Sequence, residues 1–198
     1  MHLNFKTKTN MKKAGILSLI VLAISTLMSF TGKKNTADSY TVAVDRSKID
    51  WIGTKKNGYH PGMFSLKSGQ IMTEAGKLTG GSFVIDIAGL KVLDGSAADL
   101  EKHLKSADFF EADKYPEASF TITGVNYTSE TMCEISGTLN IKGNNVPMKF
   151  PAYIRSVDDK RFFGQAFFSL DRTLLGVAYS KSPVVNDVHV TINIFASK

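Results

Sequence analysis

The sequence predicts an all-β domain, a sandwich or a barrel, with a single short helix. Three observations carry this reading. From Tyr40 onward apolar residues recur at every second position, the runs are bounded by Gly, Asn and Asp clusters, and only one stretch has a helical period. Eight such runs fall in roughly 160 residues, the pattern of a sandwich or a barrel. An eight-stranded barrel interior is either filled by side chains or holds one small ligand, and that choice decides the function.

The runs follow in order. "SKIDWIGT" places Ile49 and Trp51 on one face against Lys48 and Asp50. "GMFSLKSGQI" offers Phe64 and Leu66, "GSFVIDI" offers Phe83, Ile85 and Ile87, and "SFTITGV" offers Phe120 and Ile122. In "MCEISGTLNI" Cys133, Ile135, Leu139 and Ile141 oppose Glu134, Ser136, Thr138 and Asn140. After the turn "KGNN", "VPMKFPAYI" aligns Val146, Met148, Phe150, Ala152 and Ile154. Pro147 and Pro151 take the outward parity there, which suits an edge or a bulge. "RFFGQAFFSL" carries phenylalanine on both parities, so it is expected to be buried on both faces or packed under a neighbour. "DVHVTINIF" closes with Val188, Val190, Ile192 and Ile194 inward and His189 outward. The helix is "SAADLEKHLKS", with Leu100 and Leu104 as its apolar stripe. Ser96 and Asp99 form a capping-box pattern at its start.

The first 32 residues read differently. Lys12 and Lys13 precede an apolar run from Ala14 to Phe30, the form of a secretory signal. Met11 is the better start than Met1, residues 33–39 read as a short linker, and the domain occupies 40–198. The expected location is the periplasm, otherwise outside the cell, or at a membrane through an uncleaved 14–30 segment. Four of the 24 basic side chains and no acidic ones lie in residues 1–32. The remainder carries 20 basic and 18 acidic groups, a net of +2 with the signs interleaved. That excludes the basic face a nucleic-acid binder needs. One cysteine, Cys133, on an apolar face, reads as an inert buried thiol, and the domain must rely on its own core.

Recognisable chemistry is sparse. His60, His103 and His189 stand apart with no metal-ligand spacing, so no metal is expected. No G-x-S-x-G elbow and no phosphate loop occurs. What remains is apolar: 13 phenylalanines, many converging on one strand face. The pattern fits a phenylalanine-rich core, or a cavity for an alkyl or isoprenoid chain.

The segment "HLKSADFFEADKYPEASFTIT", residues 103–123, resembles the hallmark of the YceI-like family, exported lipocalin-like proteins associated with polyisoprenoid lipids. "GYHPGMFSLKSGQI", "GTLNIKGNNVPMKFPAYI" and "FSLDRTLLG" resemble further family motifs in the same order, through His60, Gly62, Phe64, Gly137, Leu139, Ile141, Gly143, Asp171, Arg172 and Gly176. The chain departs from the pattern at Leu100 and Glu101, where the family often has an Arg-Asp pair, and in "AGLKVLDG", which replaces a Ser/Thr-rich turn. The resemblance covers about residues 40–198 and implies an extended eight-stranded antiparallel barrel with one short helix in a crossover. It implies a long apolar tunnel, a lipid ligand and no enzymatic activity or cofactor. The expected wall is Phe64, Leu66, Phe83, Ile85, Phe120, Ile122, Leu139, Ile141, Met148, Phe150 and Phe167, with Phe109 and Phe110 as a cover over the mouth or as anchors of the helix. His60, His103 and Arg172 are expected at a polar mouth or in structural hydrogen bonds. The expected partner is an isoprenoid or long-chain lipid, with transient membrane contact and a homodimer left open. The competing readings are a ligand-free interaction module with a filled core and an enzyme acting on a bound isoprenoid, which would need a titratable group inside the cavity.

Overall fold

The structure, a computed structural model, describes residues 37–177, 179 and 184–198. The expected leader, the 14–30 segment and residues 33–36 of the linker lie outside the described residues. Nine strands form: β1 Asp38–Val42, β2 Lys48–Lys55, β3 Gly58–Glu74, β4 Lys77–Val92, β5 Glu117–Tyr127, β6 Met132–Ile141, β7 Asn144–Val157, β8 Arg161–Asp171 and β9 Val184–Ser197. Helix α1, Ala97–Lys105, lies in the β4–β5 crossover. A 3₁₀ turn, Arg172–Leu175, follows β8.

Each strand pairs antiparallel with its successor from β2 to β9, and β9 pairs back on β2. The result is a closed eight-stranded antiparallel barrel, as expected. The ninth strand does not widen it. β1 continues the place of β2 in the wall, with Thr41 opposite both Gln70 of β3 and Ser197 of β9. Five residues separate β1 from β2, and Ser47 mends the break: its hydroxyl donates to Phe195 O (3.1 Å) and accepts from Phe195 N (2.9 Å). The separate short β1 has too few alternating residues to be legible as a strand of its own.

Two hairpins fix the register. Lys142 and Gly143 have φ of 51° and 76°, and Ala75 and Gly76 have 50° and 76°. Two successive positive φ angles make the turn whose twist matches the flanking strands, and glycine takes the second position without strain.

The prolines of β7 act as the alternation suggests. A two-residue hairpin makes Ile141 and Asn144 a hydrogen-bonded pair, so the amides of every odd-numbered residue along β7 point away from β6, toward β8. Pro147 and Pro151 therefore withhold donors from β8. The β7–β8 ladder ends at Ala152 and Ala166, leaving a seam in the wall beside Asn144–Pro151.

β8 corrects one expectation. It is not buried on both faces or packed beneath another element. Phe162 faces inward, and Phe168 stacks inside on Phe150 at 4.5 Å. Phe163 stacks on Phe195 across the wall at 4.3 Å, under the Arg46 guanidinium. Phe167 lies 44% exposed and edge-on to Tyr153. Outward rings thus cover one another. The capping box is corrected too: the Ser96 hydroxyl makes no bond to the helix and donates to Asp94 Oδ1 at 2.5 Å. The helix is docked instead by Leu104, which is buried, and by Glu101, whose Oε1 accepts from Val92 N at 2.9 Å.

Candidate functional site: an apolar chamber and its mouth

The inward residues of the strands do not meet in the middle. They surround a chamber of about 500 Å³, within the ~300–1,000 Å³ typical of small-molecule sites. Phe64, Leu66, Phe83, Ile85, Phe120, Ile122, Leu139, Ile141, Met148 and Phe150 line it, with Phe109 and Phe110 at one end. Phe167 does not. Alternation turns it out, and Phe168 takes the inward place. The sequence held the signal, because Ala166, Phe168 and Leu170 form the apolar parity of β8 while Gln165 and Ser169 flank Phe167. Sequence reasoning also passed over Ala152, Phe162, Ala166, Leu175 and Tyr179 as wall residues.

One side of the chamber is a row of rings: Phe83 against Phe120 (6.4 Å), Phe120 against Phe150 (5.7 Å), and Phe150 against Phe168. Opposite them Trp51 lies flat over its cross-strand partner Gly62. A Cβ at Gly62 would come within 2.0 Å of the indole, so only glycine admits that ring position. At the far end Phe162 lines the chamber and is backed by Tyr40 at 6.4 Å, which is buried with its hydroxyl donating to Asp158 O at 2.9 Å.

The near end is built by His103, Phe109 and Phe110 of the 103–123 segment. Phe110 packs edge-on against Phe64 at 5.5 Å. Phe109, His103 and Tyr179 contact one another at 4.9–5.0 Å between centroids, tying α1 to the chain leading into β9. Lys142 Nζ donates to Phe109 O and holds the cover from the β6–β7 turn.

The three predicted polar residues all stand at this mouth and do different things. Arg172 is buried, with Nη1 donating to Val177 O (2.6 Å) and Nη2 to Tyr179 O (2.8 Å) and Asn186 Oδ1 (3.1 Å). It ties Val177, Tyr179 and Asn186 to the 3₁₀ turn. His103 faces Asp108 at 3.4 Å. His60 Nδ1 lies 2.7 Å from Asp94 Oδ2 and 3.1 Å from Ser96 Oγ. Hydrogen bonds from the Ser96 hydroxyl and amide, then from His60, pull the Asp94 carboxyl down to about 2. A second cavity of about 370 Å³ lies outside the mouth and shares Lys55, His60, Leu100 and His103 with the chamber. Cys133 is buried, and desolvation pushes its thiol up, which makes it unreactive.

Fold and cavity together define the class: a lipocalin-like closed antiparallel barrel around an apolar chamber, with polar groups at one end. Within that class the chain belongs to the YceI-like domain family, whose profile matches residues 40–196. A UPF0312 protein of Vibrio cholerae serotype O1 is 27% identical over 137 residues, 66% of this chain and 70% of the relative. One from Pseudomonas fluorescens is 29% identical over 138 residues, 68% and 71% of the two chains. The fold is shared with BcnA of Burkholderia cenocepacia (TM-score 0.67, 20% identity, 78% of this chain and 99% of that one). It is shared too with a polyisoprenoid binding domain from Saccharophagus degradans (TM-score 0.63, 18% identity, 80% and 97%).

Proposed function

We propose that the protein is an exported, non-enzymatic carrier that holds an isoprenoid or other long-chain lipid in its barrel. The observation that carries this is the chamber, apolar along its length. Among the described residues its ionisable lining, Lys55, His60, His103, Arg172 and Tyr179, belongs to the mouth end, which leaves no acid or base deep enough to act on a chain. The polyisoprenoid binding of the Saccharophagus degradans neighbour points the same way. The Lys12–Phe30 pattern supports export, and exchange of lipid occurs at a membrane surface. Burying ten chain carbons at ~0.8 kcal/mol each yields roughly 8 kcal/mol, near micromolar before ordering costs. Denaturing solvent extraction of the purified protein, followed by mass spectrometry, tests the reading. A stoichiometric prenyl or acyl lipid is expected. A blank that persists after incubation with membrane lipids would replace the carrier with an interaction module.

A further inference from the structure

The mouth has a group whose chemistry is more specific than an apolar tunnel requires. His60 sits at the inward parity of β3, opposite Gly53 of β2, and borders both cavities. Its Nδ1 is committed. Ser96 Oγ spends its proton on Asp94 Oδ1 at 2.5 Å, so both Asp94 Oδ2 and Ser96 Oγ present lone pairs to Nδ1 at 2.7 and 3.1 Å. Two acceptors on one ring nitrogen require that nitrogen to carry the proton. The depressed Asp94 carboxyl, ionised at neutral pH, fits the same assignment. In the neutral imidazole the lone pair is then on Nε2, which makes no hydrogen bond among the described residues. Lys55 comes from the facing end of β2, and it forms no ion pair among the described residues. His103, Asp99 and Leu100 of α1 complete the doorway.

Resting on the carrier reading, we infer that the lipid bears a hydroxyl head group, which lies in the doorway between the two cavities and donates to His60 Nε2. The hydroxyl oxygen takes its own donor from Lys55. Asp94 and Ser96 are positioning residues that set the tautomer. A hydrocarbon or an ether leaves Nε2 without a donor, so the doorway discriminates by the proton and not by chain length.

The test uses the full chain at pH 8 with two probes of one chain length, geranylgeraniol and its methyl ether, and compares dissociation constants. Wild type is expected to bind the alcohol about tenfold tighter, the worth of one well-made hydrogen bond. His60→Phe is expected to erase that preference, the alcohol losing its tenfold advantage over the ether. Asp94→Asn is the second variant. Its amide can donate to Nδ1 and move the ring proton to Nε2, so the alcohol preference falls although the imidazole remains. Equal binding of both probes by wild type overturns the inference and leaves the carrier standing. Equal weakening of both probes in His60→Phe also overturns it, reducing His60 to packing. Failure of wild type to bind either probe sinks the carrier reading itself.

Discussion

Ala166→Phe separates an open chamber from a filled core by the sign of its effect. Ala166 pairs with Ala152 across β7 and β8, both are buried, and both border the chamber. The substitution places six ring carbons at the narrowest side chains of the wall. In a filled core such overpacking costs about 1–3 kcal/mol, a fall of roughly 2–4 °C in melting temperature per kcal/mol for a domain of this size. In an open chamber the ring enters free space, and the lipid-free protein keeps or slightly raises its melting temperature. The lipid loses room instead. Displacing about four to six chain carbons removes ~3–5 kcal/mol of apolar burial, which weakens binding by roughly two to three and a half orders of magnitude. Differential scanning fluorimetry of delipidated protein and titration with a C20 prenyl alcohol read both arms. A destabilised protein with unchanged lipid affinity would refute the chamber as the binding site.

Three further outcomes follow from named contacts. Arg172→Met removes the donors that satisfy Val177 O and Tyr179 O, and thermal unfolding should show a loss of about 3 kcal/mol or more. Asp94, held at about 2 against an ordinary value of 3.8, contributes stability that is complete above that ordinary value and is lost as pH falls through 2. Melting temperatures followed from pH 5 down to pH 2 should therefore decline less steeply in Asp94→Asn than in wild type. Asn145 and Lys149 have amides directed at the β7–β8 seam, so native-state hydrogen exchange there should outpace exchange at Val146 and Phe150, whose amides face β6. Equal protection at the four positions would remove the seam.

Most of the wall was legible because a barrel strand obeys one rule, alternation, and Phe83, Ile85, Leu139 and Ile141 obey it without exception. The rule fails where both parities are aromatic. At β8 the polar Gln165 and Ser169 break the tie: they share the parity of Phe167, which faces out, against the inward expectation. Periodicity is also silent about long-range polar partners. The Ser96–Asp99 spacing announced a cap, but the fold brings His60 to within 3.1 Å of Ser96, 36 positions away, and the hydroxyl joins that cluster. Nor could spacing distinguish Arg172 as a ligand group from Arg172 as a fastener of backbone carbonyls, because all of its acceptors but Asn186 Oδ1 are main-chain oxygens that every sequence possesses.

Trp51, pinned over Gly62, is the sole tryptophan of the chain. Its rotamer is fixed by the absence of a side chain beneath it, and it borders the chamber. The protein therefore carries its own optical gauge. Any guest that alters the polarity or the quenching around that one indole changes the entire tryptophan emission, with no second fluorophore of its kind to dilute the signal. Loading, emptying and exchange with a vesicle can be timed in an unlabelled sample from that single ring.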